Sequence, residues 1–165
     1  MDIENILESG GVMRYHATPC IPNQSLADHQ WRVGLLLKHF YPNMGPHVLV
    51  AALTHDSAEM QTGDTPSYAK KAEPALKRIL DKMEDEIAAE WGILSNLNIT
   101  EKIALKYCDV IEGLLYCHNQ VISGNRKAIK VFDNWVIYYH SLNVDGRHLH
   151  IKFVTEKALE VDDVR

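Results

Sequence analysis

The sequence predicts an all-α fold: a compact bundle of about five to seven helices forming one domain over residues 1–165. Three observations carry that expectation. Apolar residues recur at helical spacing along most of the chain. Helix-start signals stand in front of those stretches, with Pro46 before one and Asn98 followed by Glu101 before another. Only one short stretch, DGRHLHIKFV, alternates as a strand would. With 165 residues, 46% of them hydrophobic, the chain can close one core of ordinary size.

The elements follow in order. Residues 27–41, ADHQWRVGLLLKHFY, set Trp31, Leu35, Leu36 and Phe40 on one stripe and predict a helix with His29 in its first turn. Residues 43–60 predict a second helix, started by Pro46 and buried through Val48, Ala51, Ala52 and Leu53, with His55, Asp56 and Glu59 near its end. Gly63 and Pro66 break that pattern, so TGDTPSYAKK reads as a loop holding Asp64. A third helix over 74–92 aligns Leu76, Ile79, Leu80, Met83, Ile87 and Trp91. The capping box at Asn98 opens a long helix with Ile103, Val110, Ile111 and Leu114 on its stripe and Asp109 beside it. Ser123, Gly124 and Asn125 end it, and AIKVFDNWVIYYH forms a fifth. The tail is read as a strand-like DGRHLHIKFV followed by a helical turn, EKALEVDD.

Composition narrows the function. A net charge of −5 lacks the positive field needed to hold a long nucleic acid, although a small anionic ligand remains compatible with it. Cys20, Cys108 and Cys117 include no CxxC pair and leave an odd thiol, against a disulfide framework, and Cys108 and Cys117 read as buried apolar fillers. MDIENILESGG lacks the character of a secretory leader, and no run approaches ~18 apolar residues. A cytoplasmic protein without a membrane partner is expected.

The stretch HDSAEMQTGD, residues 55–64, crowds ionisable groups behind an apolar run. His29, the His55–Asp56 pair and Asp109 fall on three helices, and imidazole with carboxylate is the mixed donor set that suits zinc, manganese, iron or cobalt. Four such donors would leave coordination positions open, as a catalytic metal requires. The pattern alone leaves a second reading open, in which these histidines are satisfied rim residues and Glu59 is a solvated carboxylate.

The segments SLADHQW, THDSAEMQTGD and ALKYCDVIEGLL resemble, in order and spacing, the signatures of the HD-domain metal-dependent phosphohydrolases. The resemblance covers roughly residues 5 to 120. Within that family, HDxxExxTGDxP and VMRYHATPCIPNQSLADH are similar to bacterial 5′-deoxynucleotidases and to compact phage dATP triphosphohydrolases, and ILESGGVMRYHATP is closer to the phage group. The resemblance implies that His29, His55, Asp56 and Asp109 bind a divalent ion, Co²⁺, Mn²⁺ or Zn²⁺, with Mg²⁺ less suited to the imidazoles. It implies catalytic roles for Glu59 and Asp64 and phosphate contacts from Arg14, Lys70 and Lys106. Tyr15 stands where these relatives carry a Trp beside the nucleoside. The expected reaction converts dATP to deoxyadenosine and triphosphate, the rivals being a deoxynucleoside monophosphatase and a non-catalytic nucleotide-binding module. Proteins of this kind also resemble homo-oligomers, for which Trp91, Trp135, Tyr138 and Tyr139 are candidate contacts.

Overall fold

The computed structural model of the chain describes residues 1–93, 96–142 and 150–164. Among them are nine α-helices, one 3₁₀ turn and a single two-stranded sheet. The expected count of five to seven rises because short helices fill segments read as loop or tail. The chain packs as two compact units: residues 1–31 with 45–97, and residues 32–44 with 98–165.

The first unit opens with α1 (Ile3–Ser9), capped by the Asp2 side chain, which accepts from the Asn5 amide at 3.2 Å. Strands β1 (Met13–Arg14) and β2 (Gln24–Ser25) pair antiparallel, Arg14 opposite Gln24. Helix α2 (Leu26–Phe40) begins in this unit and continues into the other. Its buried face is Leu26, His29, Gln30, Val33 and Leu37, whereas Trp31 and Leu35 are exposed, so the stripe predicted through those two is corrected. The true stripe keeps the helical spacing but admits two polar residues, which is why apolar periodicity alone missed it.

The single helix expected over 43–60 is three pieces: α3 (Pro46–Ala52), a run of tight turns, and α4 (Glu59–Thr62). The Thr54 hydroxyl donates back to the Val50 carbonyl at 2.8 Å, competing with the backbone ladder. From there Thr54, Ser57, Glu59 and Met60 amides all bond three residues back, the tighter 3₁₀ spacing. Gly63 adopts φ +77°, a conformation that favours glycine, and turns the chain. The loop expected after it is instead partly helical: α5 (Ser67–Ala72) follows Pro66 directly. Helix α6 (Pro74–Glu90) buries Leu80 and Ile87, and Trp91 closes a small core with Ala58 and Ile6. Ile79 and Met83, placed on that stripe from sequence, are exposed.

In the second unit α7 (Ile99–Ile122) is the central helix, opened by the expected capping box: Asn98 accepts from the Glu101 amide and Glu101 from the Asn98 amide. Its residues 107, 108, 110–114, 117 and 118 are buried, including Cys108 and Cys117. Helices α8 (Ile129–Ser141) and α9 (Ile151–Asp162) pack against it. The strand expected over 145–154 is corrected for its second half, because Ile151 begins α9; residues 145–149 lie outside the described residues. His150 precedes α9 fully buried, hydrogen-bonded to the Tyr139 hydroxyl at 2.8 Å and near the Tyr41 hydroxyl at 3.4 Å. The alternating tail thus contributes a polar anchor and a helix. Tyr139 and Trp91 are buried, which removes them from the contact surface predicted for an oligomer.

Candidate metal centre

Within the first unit, α2 presents His29 and the turn after α3 presents His55 and Asp56, the two rings 5.3 Å apart between centroids. One Asp56 oxygen, Oδ2, lies 3.4 Å from His29 Nε2 and 3.3 Å from His55 Nε2. The neighbouring positions of His55 and Asp56 therefore do not keep their side chains apart. The Gln30 amide holds α2 to this turn. With its nitrogen towards the Leu53 carbonyl (3.0 Å) and its oxygen towards the Asp56 amide (3.3 Å), both ends are satisfied.

His55 shows what the site is built for. Its Nδ1 sits 2.9 Å from the Ala52 carbonyl oxygen, which has no proton to give, so Nδ1 carries the hydrogen and donates. In the neutral ring, Nε2 is then a bare lone pair. It is buried, it makes no hydrogen bond, and it faces the Asp56 carboxylate. Lone pair against carboxylate is repulsive without a positive charge between them, and a donor bond on the far nitrogen is how a metal-binding imidazole is oriented. The residues that could hold a metal ion are His29, His55 and Asp109, one ligand atom of each within 4.8 Å of the others. No other such group occurs among the described residues.

Glu59 opens α4 almost fully buried, and its Oε2 makes no hydrogen bond. Burial, reinforced by the Asp56 and Asp64 carboxylates and partly offset by Lys70 and Arg14, pushes its pKa up to about 9. Asp64 follows Gly63 and lies 3.7 Å from His16 Nδ1. Arg14 donates to the Gln24 side-chain oxygen at 3.2 Å and lies 5.7 Å from the Tyr15 ring centre. Tyr15 is the one non-glycine among the described residues with positive φ, at +61°. Holding a bulky side chain in that region needs surrounding structure to fix it.

In the second unit Lys106 donates to Asp109 at 2.7 Å and lies 5.6 Å from the Tyr138 ring centre. Sequence reasoning missed Gln24, Gln30 and Glu84. Glu84, on α6, accepts from the Thr62 hydroxyl at 3.2 Å, and burial raises its pKa against the pull of Lys70. Amides and a mid-helix glutamate carry no motif of their own. Spacing on α2 could have flagged Gln30, which falls four residues after Leu26 and three before Val33.

A helical fold carrying a histidine, a His-Asp pair and a distant aspartate defines a class, that of the HD-domain phosphohydrolases. The chain belongs to this family, matching the HD domain over residues 11–109. It is 33% identical over 117 residues to the dATP triphosphohydrolase of Cyanophage S-2L, a match spanning 67% of this chain and 66% of that protein. The Cyanophage S-2L HD phosphohydrolase (DatZ), solved bound to dA and one catalytic Zn²⁺, has a similar fold, with a TM-score of 0.63 at 22% identity over 96% of this chain and 98% of that one. No helix among the described residues is long and apolar enough to cross a membrane.

Proposed function

We propose that this chain is a metal-dependent hydrolase that cleaves dATP between the 5′ oxygen and the α-phosphorus, giving deoxyadenosine and triphosphate and so drawing down the dATP pool. The observation that carries the metal dependence is the His55 lone pair turned onto the Asp56 carboxylate. The substrate is favoured by the relative named as a dATP triphosphohydrolase and by the deoxyadenosine in the solved neighbour. His29, His55, Asp56 and Asp109 would hold the ion, with Zn²⁺, Co²⁺ or Mn²⁺ better matched than Mg²⁺ to imidazole donors. A divalent cation bound there lowers the pKa of water and polarises a phosphoryl oxygen.

The protein's residues supply the rest. With a divalent cation beside it to offset the Asp56 and Asp64 charges and keep it ionised, Glu59 would take up the proton of the attacking water and return it to the departing 5′ oxygen to complete the nucleoside. Asp64 orients that water from the Gly63 turn. Arg14 and Lys70, both close enough to lower the proton affinity of Glu59, meet phosphate oxygens. Tyr15 offers a ring to the nucleoside. Lys106 would add a cation to the phosphate path, but its bond to Asp109 compensates its charge. That bond favours a second reading, a 5′-deoxynucleotidase, since a monophosphate needs fewer cations. The same reading takes residues 1–165 as one catalytic domain that acts on deoxynucleotides of the cytoplasm as a homo-oligomer.

The test is turnover by chelator-stripped protein resupplied with Zn²⁺, Co²⁺, Mn²⁺ or Mg²⁺ and offered dATP, dGTP, dCTP, TTP, ATP or dAMP. Deoxyadenosine with intact triphosphate is the expected product pair. Phosphate from dAMP alone would move the protein to the monophosphatases. No product with any metal would leave nucleotide binding without catalysis.

A further inference from the structure

The geometry points to Gln24 as the positioning residue for Arg14, and we propose that it sets how tightly the site holds the phosphate of its nucleotide. This rests on the phosphate-binding role given to Arg14 above. Gln24 is buried at 2% exposure, directly opposite Arg14 in the β1–β2 pair. Its amide nitrogen donates to Asp28 Oδ2 at 3.0 Å, and its oxygen accepts from an Arg14 guanidinium nitrogen at 3.2 Å.

Each partner can play only one part. An ionised carboxylate only accepts and a guanidinium only donates, so the amide has a single orientation that satisfies both. Asp28 is in turn held at the start of α2, where its own amide donates to the Ser25 hydroxyl at 3.2 Å. The chain Ser25, Asp28, Gln24, Arg14 therefore runs from the helix that carries His29 to the guanidinium. A planar guanidinium meets two phosphate oxygens only if its plane is fixed beforehand, since ordering it on binding would weaken affinity. The next residue, Tyr15, lies in the left-handed region, so the backbone on one side of Arg14 is fixed as well. A glutamine buried to this degree with both ends occupied by charged groups is more than a filler of the two-stranded sheet.

The variants that test this are Gln24→Met, which keeps the length and removes both hydrogen bonds, Arg14→Ala, and the double variant, each assayed for KM and kcat on dATP. Zn²⁺ affinity and binding of inorganic tripolyphosphate are measured on the same proteins. Gln24→Met is expected to raise KM and weaken tripolyphosphate binding by roughly tenfold to a hundredfold, with kcat and Zn²⁺ affinity within about threefold of the parent. In the Arg14→Ala background the same change is expected to have no further effect, because its target is gone. Additive losses in the double variant, or a fall in kcat and Zn²⁺ affinity with unchanged KM, would overturn the positioning role and leave the proposed reaction standing. If the parent turns over no nucleotide, the proposed reaction fails, and tripolyphosphate binding across the four proteins still decides whether Gln24 acts through Arg14.

Discussion

At His55 one backbone carbonyl decides the chemistry of a side chain. The Ala52 oxygen accepts the Nδ1–H hydrogen bond and so leaves Nε2 as a lone pair facing Asp56, with Glu59 buried nearby. Glu59→Gln, which keeps the shape and removes the base, is expected to lower kcat by about 10²–10⁴-fold while Zn²⁺ binding persists, as rapid-quench turnover and metal titration will show. The raised pKa of Glu59 also fixes a pH dependence. In the metal-free protein the folded state keeps a proton that the unfolded state releases from about pH 4.5 upward, so this group's contribution to stability is greatest below 4.5 and declines as pH rises towards about 9. Urea unfolding of chelated protein at pH 5, 7 and 9 measures that decline, and a midpoint that rises between pH 5 and 9 would contradict it. The candidate metal donors could be picked out in the sequence because their chemistry is carried by residue type. Gln24 and Gln30 were not, because an amide acquires its role only when the fold sets a donor on one side of it and an acceptor on the other.

Among the elements, those with local signals were read correctly. Asn98 with Glu101 announced α7, and Asn98→Ala is expected to cost about 1 kcal/mol in chemical denaturation. The mid-chain break between α3 and α4 was hidden, because nothing in VLVAALTHDS breaks a helix by composition; the Thr54 back-bond and the succession of three-residue bonds do so. The face of α2 was misread for a related reason. Its buried stripe passes through His29 and Gln30, so the apolar pattern that remained visible pointed at Trp31 and Leu35 on the exposed side. Packing between α7 and α8 depends on Gly113. A methyl group there would stand 2.6 Å from the Trp135 ring, so Gly113→Ala is expected to destabilise the protein by about 1–3 kcal/mol, read as a lower thermal midpoint.

For the whole molecule, a metal that binds only the folded chain adds to its stability. At a free Zn²⁺ concentration near one hundred times Kd, the gain is about 2.7 kcal/mol, and a chelator removes it; calorimetry of the two forms checks both. An unchanged midpoint would mean that the donor set does not bind the ion. The single-domain expectation came from length and composition, whereas the division into two units, each built from two separate stretches of chain, depends on long-range packing that no local pattern announces.

That interleaving has a consequence for how the protein is made. The first unit is drawn from residues 1–31 and 45–97, so it can close once residue 97 has left the ribosome. The second half of α2 is synthesised early, yet the remainder of the unit it belongs to begins at residue 98. Until residues from 98 onward emerge, Val33 and Leu37, both buried in the finished protein, stand on a helix whose own unit is still incomplete. The nascent chain therefore passes through a stage in which this unit is represented by one helix alone, and a pause in translation between residues 44 and 98 would lengthen that stage.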